Sequence, residues 1–142
     1  MTTLENALAV NDGKAVVISI KREWLSKIMT GEKTLEVRKS MPWYISFPFA
    51  VLCYETKANG GAGKIIGAFT CEDIDQLNCL TELSPYFANG GSLSDITNNF
   101  VRESCIDIAA LFEYGNKTGM LYGWNISNVR KLSLPLHQLH LK

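Results

Sequence analysis

At 142 residues, with 46% hydrophobic and 20% charged side chains, the chain is long enough for one domain with its own core. Its 14 basic and 14 acidic side chains cancel, which argues against a global field that would steer it to long duplexes or to an acidic membrane surface. No apolar run reaches the length of a membrane-spanning helix.

The first thirteen residues do not join the later pattern and predict an N-terminal arm or a short capping helix; the domain proper is expected over 14–142. "AVVISI", Ala15 to Ile20, is a continuous apolar and β-branched run, hence a buried strand. "KREWLSKIMTG" then changes period: Trp24, Leu25 and Ile28 fall at helical spacing, and Gly31 is a C-terminal stop. "KTLEVRK" reverts to alternation. Thr34, Glu36 and Arg38 share one face of the predicted strand, and Leu35 and Val37 the other. Lys33 stands at its entrance, nominally on the apolar side.

Pro42 and Pro48 make "SMPWYISFPF" a loop or broken extended segment. "AVLCYE" and "KIIGAFTCEDI" predict a hairpin with a long Gly-rich loop. That loop, "NGGAGK", is not a phosphate loop: Ala58 replaces the first glycine of the pattern and Ile65 its hydroxyl residue. "LTELSPYF" predicts a helical turn interrupted by Pro85, and "ANGGSLSD" a surface loop. From Ile96 the helical period returns. Ile96, Phe100, Val101, Cys105, Ile108, Ala109 and Phe112 fit one apolar stripe, with Asp95 or Thr97 as its cap and Tyr114-Gly115 as its end. "MLYGWNIS" predicts a strand, and "RKLSLPLHQL" an edge or terminal one because of Pro135. The order predicts a small, mostly antiparallel α+β domain that curls into a barrel to hide its edges.

Charge is uneven along this order. Lys14 to Lys39 holds seven basic side chains against Glu23, Glu32 and Glu36, a local excess of +4. Such a segment in a neutral chain suits modest, local anion binding. Cys53, Cys71, Cys79 and Cys105 form no C-x-x-C pair. With no secretory signal visible, they predict a reduced, cytoplasmic protein with buried thiols. His137 and His140 lack acidic or cysteine company, so no metal and no cofactor is expected.

The row Glu36–Arg38 has an ordinary explanation, a surface ion pair on a half-exposed strand. The combination of residues around it is more specific. "ISIKREWLSKIMTGEKTLEVRK" resembles the ASCH domain family, in which a strand ending I-x-I-K leads to a short helix and then to G-x-K-T-x-E-x-R. Ile18, Ile20 and Lys21 match the first part. Gly31, Lys33, Thr34, Glu36 and Arg38 match the second, and Pro42 follows. The likeness is close over about 25 residues and extends over about 100, with an insertion expected near 80–99.

The resemblance implies a PUA-like β-barrel with two or three flanking helices, and binding of RNA, a nucleotide or a modified base. The implied ligand-binding residues are Lys21, Lys33, Glu36 and Arg38, with Trp43, Tyr54 and Trp124 as stacking rings. An alternative is a small hydrolase acting on a modified nucleoside, as in a group that hydrolyses N4-acylcytidine, or on RNA. Lys33, Thr34 and Glu36 would then be the catalytic residues. That group carries threonine where this chain has Glu36, and its catalytic glutamate has no clear match among Glu72, Asp73 and Asp75. A third reading is a protein-interaction domain that uses the 80–99 insertion.

Overall fold

In the computed structural model, which describes residues 1–9 and 13–136, the apolar run at 15–20 is strand β1 (Ala15–Ile20) and its amphipathic successor is helix α2 (Arg22–Met29). A four-residue helix, α1 (Leu4–Ala7), precedes both. The other strands are β2 (Leu35–Arg38), β3 (Phe49–Glu55), β4 (Lys64–Cys71), β5 (Ile74–Asn78), β6 (Met120–Asn125) and β7 (Ser127–Leu136). The other α-helices among the described residues are α3 (Ser84–Asn89), α4 (Asp95–Ser104) and α5 (Ile108–Tyr114). The fold is therefore α+β. His137 and His140 lie outside the described residues.

The strands form two sheets, and these coincide with two compact units. Of the described residues, the first unit holds 1–9, 13–32, 42–73 and 126–136, and the second 33–41 and 74–125. The expected barrel is not formed. The sheets have orders β1-β3-β4-β7 and β2-β6-β5, and neither closes on itself. Closure needs a ladder between end strands. Here the end strands are blunted instead: β2 has only four residues, and β7 carries Pro135. The antiparallel expectation does hold, since among the described strands β1 with β3 is the one parallel pair.

In the first unit, β3 is buried along almost its whole length. Ala7, Leu52, Ile65, Ala68 and Leu132 form a core cluster, against which Leu4, Leu8 and Tyr54 pack. Helix α1 is thereby seated on the sheet. The backbone of Thr2 adds to this by pairing with Lys131 and Ser133 of β7.

In the second unit, Leu35 and Val37 of β2 point into a core with Leu77, Cys79, Leu83, Phe100, Leu111 and Leu121. The apolar stripe from Ile96 is divided between two helices, because Cys105 takes φ 60 and ends α4. Ser94, rather than Asp95 or Thr97, caps α4: its Oγ accepts from the Thr97 amide. Cys53, Cys71 and Cys79 are buried.

Candidate functional site

Alternation along β2 places Leu35 and Val37 on the core face and Glu36 and Arg38 on the other. The register extends this second face across the sheet. Glu36 stands opposite Trp124 and Arg38 opposite Tyr122 on β6; Trp124 and Tyr122 stand in turn opposite Ile74 and Gln76 on β5. Directly paired residues lie on the same face of a sheet. An ionic row therefore runs beside an aromatic row.

Glu36 is the hinge of the ionic row. Its Oε2 accepts a hydrogen bond from Arg38 at 3.2 Å, and its Oε1 lies 3.9 Å from the Lys33 ammonium. The Glu36 side chain is 8% exposed and that of Arg38 30%, so the row leads from the interior toward solvent. Burial pushes the Glu36 carboxyl above its ordinary range, against the opposing pull first of Lys33 and then of Arg38. Two neighbouring cations do not offset the lost hydration.

Lys33 does not follow the strand period, because β2 begins only at Leu35. Its side chain is 1% exposed, and its ammonium donates to the carbonyl of Ser104, the last residue of α4. The Thr34 amide donates to the Glu103 carbonyl at 2.9 Å. Lys33 and Thr34 thus satisfy two carbonyls that a helix end leaves open, and the ammonium sits at the negative end of the helix dipole. The sequence gives no hint of this anchor, since Ser104 is 71 positions away.

The structure brings together Lys33, Glu36, Arg38 and Trp124. Trp124 is 4% exposed and donates from Nε1 to the Ser40 carbonyl at 3.2 Å, so it walls the site. Tyr122, half-buried opposite Arg38, is the more accessible ring. The Thr34 side chain is exposed. Three remaining candidates belong to the first unit. Lys21 is exposed at the start of α2, where its carbonyl accepts from the Trp24 and Leu25 amides. Tyr54 is half-buried against the Ala7–Leu52 cluster. Trp43 is 87% exposed and stands edge-on to Tyr44, with ring centroids 6.0 Å apart. Among the described residues no three His, Cys, Asp or Glu side chains are grouped to hold a metal.

Chemically, the β2 row offers a forked donor at its outer end and an acceptor of raised proton affinity behind it. The first suits phosphate or carbonyl oxygens. The second suits an exocyclic amine or a water molecule to be deprotonated.

The fold is similar to that of solved ASCH structures from Zymomonas mobilis. One matches with a TM-score of 0.65 and 20% identity, covering 87% of this chain and 73% of that one. A serine-to-alanine mutant of that protein matches at 0.62 and 21%, over 87% and 73%. A tyrosine-to-phenylalanine mutant matches at 0.61 and 19%, over 83% and 72%. At such identities the likeness is one of fold. No family model and no curated protein matches the sequence.

Proposed function

We propose that this chain, which has an ASCH-like fold, is a binding module for a nucleotide or a short single-stranded RNA, held on the outer face of β2 and β6. One observation carries the reading. A buried carboxylate is bonded to a guanidinium that still reaches solvent, beside an aromatic row. Burying ionic groups disfavours folding relative to apolar packing, so such a cluster is expected where a site needs it. Arg38 would grip a phosphate or base carbonyl, Glu36 would accept from an exocyclic amine, and Tyr122 would stack. A largely buried cluster with one more accessible ring, Tyr122, suits unpaired bases better than duplex.

On the first unit, exposed Trp43 is proposed as a separate stacking ring and exposed Lys21 as a separate phosphate contact. The test is titration of labelled oligouridine and of a nucleoside monophosphate panel. Arg38→Ala should weaken binding about tenfold through loss of a charge-assisted fork. Equal affinity of wild type and variant sinks the site. Trp43→Ala reads its own ring independently, with a loss of about tenfold expected where a base stacks on it.

The raised proton affinity of Glu36, 3.9 Å from Lys33, favours a second reading. In it the cluster hydrolyses a modified nucleoside such as N4-acetylcytidine, or RNA, with Glu36 as general base and Lys33 as electrostatic stabiliser. Incubation with both substrates decides it. Turnover that survives Glu36→Gln removes the carboxylate from the mechanism.

A further inference from the structure

A groove of about 200 Å³ separates β5 from α4 in the second unit. Asp75, Gln76, Glu82, Ile96, Asn99 and Glu103 line most of it, and none of the described basic side chains does. A second hollow, of about 310 Å³, adjoins it through the shared walls Glu82 and Thr97.

Three independent features meet at this groove. The first is charge. Between 72 and 104 the chain carries six acidic side chains and one basic, although its net charge is zero. A concave wall with three carboxylates focuses negative potential. The second is apolar exposure. Ile96 is 78% exposed in the first turn of α4, on the groove rather than in the core. The third is a sheet edge. β5 ends its sheet, so among the described residues one side of its backbone has no ladder partner. Asp75 and Gln76, neighbours on that strand, are both exposed.

We propose that this groove docks a basic peptide segment of another protein, laid along β5 as an added strand. Its lysine or arginine side chains would face Asp75 and Glu103, and an apolar side chain would cover Ile96. Strand addition supplies main-chain hydrogen bonds, and alternate side chains supply specificity. Charge complementarity selects the occupant. A polyanion would be repelled by the same carboxylates that attract a cationic peptide. The proposal does not depend on the nucleotide reading, because the groove and the β2 row use different side chains.

Fluorescence anisotropy with a labelled octapeptide of alternating lysine and leucine tests it, with the glutamate–leucine counterpart as charge control. Wild type should bind the first and not the second. The Asp75→Asn/Glu103→Gln double variant should weaken binding about tenfold, from two ion pairs lost together. Ile96→Ser should cost about tenfold through lost apolar contact. Glu113→Gln removes a carboxylate of α5 that does not line the groove, and should change affinity less than about twofold. An unaltered melting curve for Ile96→Ser, whose side chain is already in water, separates lost binding from lost folding. Failure of the lysine–leucine peptide to bind overturns the proposal. So does equal weakening by Glu113→Gln, which would mean general charge attraction. Loss of oligouridine binding on Ile96→Ser would assign the groove to RNA instead and overturn it as well.

Discussion

Lys33 and Glu36 place an ammonium and a carboxylate 3.9 Å apart, with side-chain exposures of 1% and 8%. The pair is thus almost wholly removed from water. Removing one member of a buried pair typically costs about 3–5 kcal/mol, and the lower end applies here because Glu36 keeps its bond to Arg38. Lys33→Met should therefore lower unfolding stability by about 3 kcal/mol in urea titrations. Lys33→Met/Glu36→Gln should lose less than the sum of the single changes, with a coupling of about 1–3 kcal/mol. Strict additivity would mean that the two groups do not interact.

Glu36 also predicts a pH dependence. Burial holds its carboxyl above the ordinary value of 4.5 in the folded chain. The folded state then binds a proton that the unfolded state has already released. Stability from this group is fully present below 4.5 and is lost as pH rises through the raised folded value. The stability of wild type minus that of Glu36→Gln should fall over that window and level off above it. A difference that rises with pH would reverse the sign and contradict the burial argument.

The two readable periods explain how much of this was legible. Leu35, Glu36, Val37 and Arg38 alternate because a strand has period two, and the structure puts the first and third in the core. Lys33 escaped the pattern because it precedes the strand, where no period constrains it, and its acceptor is remote in sequence. The stripe from Ile96 to Phe112 predicts one helix. Phe100 and Leu111 do face the same core, but the left-handed turn at Cys105 breaks the backbone between them. Apolar spacing reports a shared core, not an unbroken axis. Likewise "KIIGAFTCEDI" predicts one strand, yet the chain leaves β4 after Cys71 and starts β5 at Ile74 in the other sheet. The Glu72-Asp73 dipeptide was the available signal for that break.

Gly123 supports the site from behind. It lies in the central strand β6, opposite Val37 on one side and Asp75 on the other. A Cβ built there would fall 2.7–2.8 Å from three side-chain carbons of Leu35, which is fully buried. Leu35 cannot swing aside without disturbing the core beneath Glu36. Gly123→Ala should destabilise by about 1–3 kcal/mol, as overpacking does. Gly123→Ala/Leu35→Val should recover part of the loss if the contact with Leu35 is its cause. A double variant no more stable than Gly123→Ala would place the strain elsewhere.

Arg130 predicts how the N-terminal segment is held. Its guanidinium donates to the Thr70 hydroxyl at 3.2 Å, to the Asn128 carbonyl, and through Nη2 to the Ala7 carbonyl at 3.0 Å. Ala7 is the last residue of α1, so the cation meets a helix carbonyl that has no partner within the helix. Two other attachments act on the same segment, the Thr2 pairing with β7 and the burial of Ala7. Arg130→Met keeps much of the aliphatic stem and deletes the donors. It should cost about 1–3 kcal/mol, the range for a buried acceptor left without its donor. Its signature is local: amide exchange should quicken at Ala7, Leu8 and Ala9, whose amides donate to the Thr3, Leu4 and Asn6 carbonyls, while Val51 and Phe69 in the centre of the sheet stay protected. Arg130→Lys should restore only part of the protection, because one ammonium cannot reproduce a planar fork that serves three acceptors. Uniform quickening across the sheet would show instead that Arg130 supports the whole unit rather than fastening α1 to it.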